Sequence, residues 1–352
     1  MNYIGSKSSL LEFIEQSINK VVKEPVKSFC DVFAGTGAVG LYFKQKGYHI
    51  ISNDLQYYSY VLNRHIGNHK ELTFDGLLDE CNIKASAISE RKFAVCSFLN
   101  NLPAVKGFIY NNYAMGGTKN SDFERQYFSD KNASRCDAIR IKIEEWYKAK
   151  KITNDEYYFL LTSLLEAIDK CANTASVYGA FLKKLKSSAQ KDLLMLPAKL
   201  VLNSQEHEIY NCDANNLLKR VHTDILYLDP PYNARQYCAN YHMLETIAKY
   251  DSPIISGKTG LRNYKEQKSL YCSKSSVRKA FADLIEEAQA KYIFLSYNNE
   301  GLLSLNEIKE IMSNKGEYGY FTQSYNRFKA DSQRDYKADK TVEYLHYCIV
   351  KH

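Results

Sequence analysis

No run of uncharged apolar residues in this chain approaches the ~18 that a membrane-spanning helix needs. The opening residues, MNYIGSKSSLLEFIEQ, reach Glu12 too early for a secretory signal, so a soluble, cytoplasmic protein is expected. The nine cysteines contain no C-x-x-C pair and the eight histidines no finger-spaced cluster, which disfavours a disulfide framework and a zinc site. His65 and His69 stand four apart, yet the Glu of an H-E-x-x-H helix is missing, and no metal is expected. Also absent is G-x-x-x-x-G-K-[ST], the phosphate loop of the commonest nucleotide hydrolases. No internal repeat is visible.

What is present is ordinary globular material: 352 residues, 45% hydrophobic and 25% charged. That length exceeds the ~100–150 residues of a typical domain, which suggests one core plus an inserted lobe. The net charge of +7 is unevenly spread. Between Ile255 and Lys279 lie Lys258, Arg262, Lys265, Lys268, Lys274, Arg278 and Lys279 against Glu266 alone, a candidate phosphate-contacting run because each cation near a phosphate releases counterions. The alternative is a solvated loop. A second polar stretch, Ser324 to Lys340, interleaves basic residues with Tyr325, Phe328 and Tyr336.

Hydrophobic spacing predicts an amphipathic helix within the first 26 residues, where Leu10, Leu11, Ile14, Ile18, Val21 and Val22 share a face until Pro25. The period then changes. Val26 to Phe33 and Tyr48 to Asn53 read as strands, with helices at Val39 to Lys46 and Leu55 to Ile66. From Gly67 to Gln205 the strand signal fades into helical and polar pieces. It returns at His207 to Cys212, Thr223 to Leu228, Tyr292 to Tyr297, Tyr318 to Gln323 and Val342 to Val350, with helical connections at Ala214 to Arg220, Arg278 to Ala290 and Leu305 to Asn314. This pattern describes an α/β, doubly wound, Rossmann-like sheet closed by a C-terminal antiparallel hairpin, with an inserted, mainly helical lobe. The expected divisions are 1–66, 67–205 and 206–352.

At the end of the first strand, Phe33-Ala34-Gly35-Thr36-Gly37-Ala38-Val39-Gly40 reads G-x-G-x-x-G, and Asp54 follows at the tip of the second. The glycines permit a tight turn and close approach by a ligand, while a carboxylate at the second tip can accept from ribose hydroxyls. A nucleoside cofactor follows. At this point a nicotinamide-dependent dehydrogenase remains open.

Asp229-Pro230-Pro231-Tyr232 closes the choice, for it follows an apolar strand and so lies at a carboxyl end beside the glycine turn. The prolines hold the backbone extended and withhold N–H donors, so a carbonyl and the Asp229 carboxylate can both accept from one exocyclic amine. Tyr232 can stack on the ring bearing it. Such an amine is a weak nucleophile because its lone pair is delocalised; two acceptors oppose that delocalisation and turn the lone pair toward a methyl sulfonium. Hydride transfer has no use for the tetrapeptide.

In this respect the chain resembles the S-adenosylmethionine-dependent DNA adenine-N6 methyltransferases, specifically the DNA adenine methylase group. Asn2-Tyr3-Ile4-Gly5-Ser6-Lys7 is similar to the family's N-terminal cofactor motif, Phe33 to Gly37 to its glycine motif, Asn53-Asp54 to its ribose-binding acid and Cys212-Asp213-Ala214 to its adenine-binding element. Val342-Glu343-Tyr344-Leu345 resembles its last-strand signature, and the motif order resembles the α arrangement. The resemblance implies S-adenosyl-L-methionine as cofactor, held by Tyr3, Lys7, Phe33, Gly35, Thr36, Gly37, Asp54, Asp213, Ala214 and Asp229, with Lys7 toward the cofactor carboxylate. For Asp213 a helix N-cap is an equal local reading. It implies catalysis by Asp229, Pro230, Pro231 and Tyr232 on an adenine flipped out of double-stranded DNA.

Further expectations follow from that resemblance. Arg235 and Tyr237, with Asn233, Gln236 and Tyr241, would shape the base pocket, and Lys265 and Lys268 would meet phosphates. Residues 67–205 would form the target-recognition domain, where Asn111, Asn112, Lys119, Asn120, Arg125, Gln126, Arg135 and Arg140 are candidate base readers. The expected role is modification within a restriction–modification system, with any cognate endonuclease acting separately. Alternative acceptors are cytosine N4, RNA adenine N6 and a protein glutamine amide, although related enzymes tend to carry Ser or Asn in place of Asp229. No proline precedes a cysteine, so the usual setting of a cytosine-C5 nucleophile is missing. A non-catalytic DNA-binding protein is disfavoured by intact Asp229 and Tyr232.

Overall fold

The computed structural model describes residues 5–84, 87–326 and 340–351. Tyr3 lies outside them, as do residues 327–339 of the second polar stretch. The chain divides into two compact units.

The sheet unit comprises Gly5–Asn63, Asn203–Tyr237 and Lys265–His352. Its strands are β1 (Ser28–Asp31), β2 (His49–Asn53), β3 (Glu208–Tyr210), β4 (His222–Leu228), β7 (Gln289–Asn298), β8 (Gly316–Asn326) and β9 (Lys340–Val350). They form one seven-stranded sheet in the order β3-β2-β1-β4-β7-β9-β8. Neighbours from β3 to β7 pair in parallel, whereas β9 runs antiparallel to both β7 and β8. This is the doubly wound sheet with a terminal hairpin, and the hairpin's last strand slots between its first and the parallel block.

Alternation along the strands explains why the sheet is covered on both faces. On β4, Ile225 and Tyr227 join a core with Phe29, Phe43, Phe294 and the helix Leu11–Val21. Leu226 and Leu228 point the other way, into a core with Phe281, Leu284, Ile308 and Met312 from the helices Val277–Glu287 and Leu305–Ser313. Ser304 and Glu307 form a reciprocal capping box that starts the latter helix. Several boundaries shift by a few residues from the sequence reading, and at one of them residues change from helix to strand. The helix expected to run through Ala290 stops at Glu287, and Ala290 pairs with Thr223 in the β4–β7 ladder. Alanine's helix preference is small beside the hydrogen bonds and burial that the ladder supplies.

The second unit contains Arg64–Leu202 together with Cys238–Tyr264. It is mainly helical, built on Ile88–Asn100, Phe108–Tyr113, Asp130–Lys148, Asn154–Lys170 and His242–Lys249, with a small hairpin of β5 (Ile255–Ser256) and β6 (Leu261–Arg262). A capping box of Thr153 and Glu156 opens the helix Asn154–Lys170. Residues 238–264, which the sequence placed with the C-terminal division, cluster with the helices. Among the described residues no helix is long and apolar enough to cross a membrane.

Candidate active site

In the sheet order, β1 lies between β2 and β4, the point at which the winding reverses and strand ends diverge. The register sets Phe29, Cys30 and Asp31 of β1 opposite Ile225, Leu226 and Tyr227 of β4. The segments leaving the two carboxyl ends, the glycine turn and Asp229 to Tyr232, therefore start side by side.

The glycine turn is held by its neighbours. Gly35 and Gly37 have φ of 52° and 76°, a region that L-residues with a Cβ avoid. Gly37 ends the turn as the N-cap of helix Ala38–Gln45. The Gly35 amide donates to Asp54 Oδ2 at 2.8 Å, and Asp54 Oδ1 accepts from the Gln56 amide at 2.8 Å. Asp54 thus braces the turn that it was expected to accompany. Asn63 Nδ2 donates to the Gly35 carbonyl at 3.1 Å. Asn53, named in the sequence only beside Asp54, laces the tips together: its Nδ2 donates to Val32 and Cys212 carbonyls, and its Oδ1 accepts from the Cys212 amide at 3.0 Å. Thr36 stays partly exposed at the mouth of the turn.

Beside the turn, Phe33 meets Tyr271 edge-on with centroids 5.1 Å apart, and Tyr271 Oη donates to Asn215 Oδ1 at 2.7 Å. Asp213 caps the helix Ala214–Leu218 by accepting from the Asn216 amide at 3.0 Å, which realises the N-cap reading. Ala214 is buried in the core beneath.

At the β4 tip, Pro230 is buried and Pro231 half-buried. The Tyr232 carbonyl accepts from the Leu302 amide at 3.0 Å, and its ring lies edge-on to Tyr297 at 6.1 Å. Gln236 fastens the loop by donating to the Ser269 carbonyl at 3.2 Å and accepting from the Ser269 amide at 2.9 Å. Arg235 is exposed, and Tyr237 brings its hydroxyl close to the Gly5 backbone.

Lys7 occupies a place that its sequence neighbours do not reveal. It is 5% exposed, and Nζ lies 3.2 Å from Asp229 Oδ1 and 2.8 Å from Glu343 Oε1. Burial alone would lower the Lys7 pKa, but the carboxylates of Asp229 and Glu343 outweigh it and hold the ammonium charged. Asp229 is pushed up to about 6, chiefly by burial, with Lys7 opposing and Glu343 reinforcing the rise. It is therefore mostly ionised near neutral pH. Among the described residues only Lys7 holds its carboxylate, so one oxygen remains for another donor. Asp31, at the β1 tip, is an acid the sequence reading missed, although its place just before the glycine turn could have flagged it. Burial, then Asp229, raise its pKa well above the ordinary value.

Several sequence candidates turn out to be structural. Arg140 is buried and donates to the carbonyls of Ile247 and Ala248 and to Glu144. Arg125 is buried and donates to the carbonyls of Lys258, Gly257 and Asn112. Neither guanidinium can read a base without abandoning those partners. Within the basic run, Arg262 pairs with both oxygens of Asp251 and Arg278 with Glu310, so the run is less positive than its composition suggests. Lys265 and Lys268 are exposed.

A doubly wound sheet that sets a nucleoside-type glycine turn beside a carboxylate with an open oxygen is the framework of a group-transfer enzyme acting on an amine. The chain belongs to the D12 class N6 adenine-specific DNA methyltransferases, whose family model matches residues 3–314. It is 50% identical to the Type II methyltransferase M.NlaIII of Neisseria lactamica over 98% of both chains. It is 34% identical to the Type II methyltransferase M.CviAII of Paramecium bursaria Chlorella virus 1, covering 100% of this chain and 99% of that one. Identity to the Type II methyltransferase M.FokI of Planomicrobium okeanokoites is 39%, with 99% of this chain spanning 52% of that longer protein.

Proposed function

We propose that this enzyme methylates adenine N6 within a specific site of double-stranded DNA as the modification component of a Type II restriction–modification system, using S-adenosyl-L-methionine. The single observation that carries the reading is Asp229, anchored on one oxygen by Lys7 and open on the other, at the strand tip beside the glycine turn. The residues present fit a cationic sulfonium donor, since Asp229 and Glu343 flank one buried ammonium while Asp31, acted on by both Asp229 and Asp54, adds a further acid beside them. Gly35, Thr36, Gly37 and Phe33 would line its methionine and ribose side, with Asp54 toward the ribose and Asp213 and Ala214 toward the adenine. Asp213 keeps acceptor capacity because a carboxylate oxygen can take a second donor. Bound there, the cofactor would supply an electrophilic methyl group.

The chain's own residues do the rest. Tyr232 stacks on the flipped target base, a contact worth about 1–3 kcal/mol. The open Asp229 oxygen accepts from the adenine amine, orients its lone pair and can take up the proton lost on methylation. Arg235 and Tyr237 border that pocket, Lys265 and Lys268 contact phosphates, and the helical unit reads the site from exposed polar side chains such as Asn111, Lys119 and Asn120. A cognate endonuclease would act as a separate chain. Digestion of reacted duplex to nucleosides followed by mass spectrometry tests the reading. N6-methyldeoxyadenosine at one recurring sequence is expected, whereas N4-methyldeoxycytidine or unmodified DNA would refute it.

A further inference from the structure

Glu343 sits on β9, an interior strand, where it opposes Asn298 of β7 and Gln323 of β8. It is 1% exposed, and Oε1 accepts from Lys7 Nζ at 2.8 Å and from Ser296 Oγ at 3.0 Å. Oε2 is buried with no donor among the described residues. A carboxylate on a strand whose next inward residue, Leu345, is core material is costly to bury. Besides Ser296, its contact runs through Lys7 to Asp229. The shorter of the two ammonium distances is the one to Glu343, so Glu343 and Ser296 locate the ammonium, and the ammonium locates Asp229.

We propose that Glu343 is a positioning residue for methyl transfer: by clamping Lys7 it sets both where the Asp229 carboxylate stands and how much negative charge surrounds it. The inference rests on the reading of Asp229 as the amine acceptor. The charged and titratable groups facing this cluster are Lys7 ahead of the first helix, Asp31 of β1, Tyr227 of β4, and Tyr232 after it. Asp54 acts on Asp31. Of these, Lys7 lowers and Glu343 raises the pH at which Asp229 titrates, so removing the Glu343 charge moves that titration down. The ammonium and the carboxylate beside this strand tip thus tune the acceptor in opposite directions.

The test is the pH dependence of kcat/KM for tritiated methyl transfer to duplex DNA by the full chain and two variants. Glu343→Gln keeps the shape and the oxygen that Lys7 grips but discards the charge, and the acid limb of the profile should move down by about one pH unit. Glu343→Asp keeps the charge but shortens the reach, so its limb should stay in place while the plateau falls on the order of tenfold. A limb unmoved in Glu343→Gln, or a full plateau in Glu343→Asp, overturns the proposal. Should Glu343→Gln fail to fold, Glu343→Asp still decides. A wild-type profile with no acid limb near pH 6 instead overturns the acceptor reading of Asp229, so the two failures are separable.

Discussion

Arg140 and Lys7 are both buried cations, 2% and 5% exposed, and their surroundings differ in kind. Arg140, in the helical unit, spends its donors on the carbonyls of Ile247 and Ala248, on Glu144 and on the Tyr157 hydroxyl, with the Tyr250 ring 5.5 Å from its carbon. Its carbonyl partners are rigid backbone. Lys7, in the sheet unit, is shared between two carboxylates, each of which keeps an oxygen that no described side chain or amide satisfies. A buried charge whose partners are satisfied is a rivet. One whose partners retain spare capacity is poised for something that arrives later.

That difference yields expected effects of graded size. Arg140→Ala should cost about 3 kcal/mol in chemical denaturation, because it strands carbonyls and Glu144 at once. Residual folded protein should methylate the same site as the parent. A change of site with unchanged stability would return Arg140 to the base readers. Asp54→Ala should weaken cofactor binding by about 2 kcal/mol in calorimetry, as the Gly35 and Gln56 amides lose their acceptor and the turn its brace. Undiminished binding would show that the turn holds itself.

The pH dependence follows from Asp229. A carboxyl pushed up to about 6 is ionised above that pH and protonated below it, so transfer should fall about tenfold per unit beneath pH 6. Stopped-flow or quench measurements at constant ionic strength check this, and a flat rate from pH 7 to about 4.5 would contradict it. The smallest effect belongs to the exposed lysines. Changing Lys265 and Lys268 to Ala should weaken cognate and scrambled duplexes equally and reduce the slope of log affinity against log salt by about 0.9 for each phosphate no longer neutralised. An unchanged slope would leave these lysines as solvated surface.

The sheet was legible in the sequence because period-two strands, the glycine turn and the Asp229 tetrapeptide are local signals. Even the antiparallel closing hairpin showed itself as two strands with no helix between. Where the sequence reading fell short, the cause was distance along the chain. Nothing near Lys7 announces that Glu343 and Asp229 will flank it, and within a resembled cofactor motif the sequence offers it only as a ligand contact. Arg125 and Arg140 looked like base readers because composition cannot distinguish an exposed guanidinium from one that bonds carbonyls of the 238–264 segment. That segment belongs to the helical unit, and these bonds are among those that tie it there. Asp31 escaped notice for a related reason, since its environment is made by neighbouring strand tips.

In the proposed reaction Asp229 serves the target amine, although the resemblance also counts it among the residues that hold the cofactor. Asp229→Ala protein should therefore be examined for both properties in one preparation, by calorimetric titration with S-adenosylmethionine and by single-turnover transfer to duplex DNA. Cofactor affinity within about threefold of wild type and a rate reduced by at least about a hundredfold are expected. Transfer at the wild-type rate, or a loss of transfer explained entirely by lost cofactor binding, would contradict it.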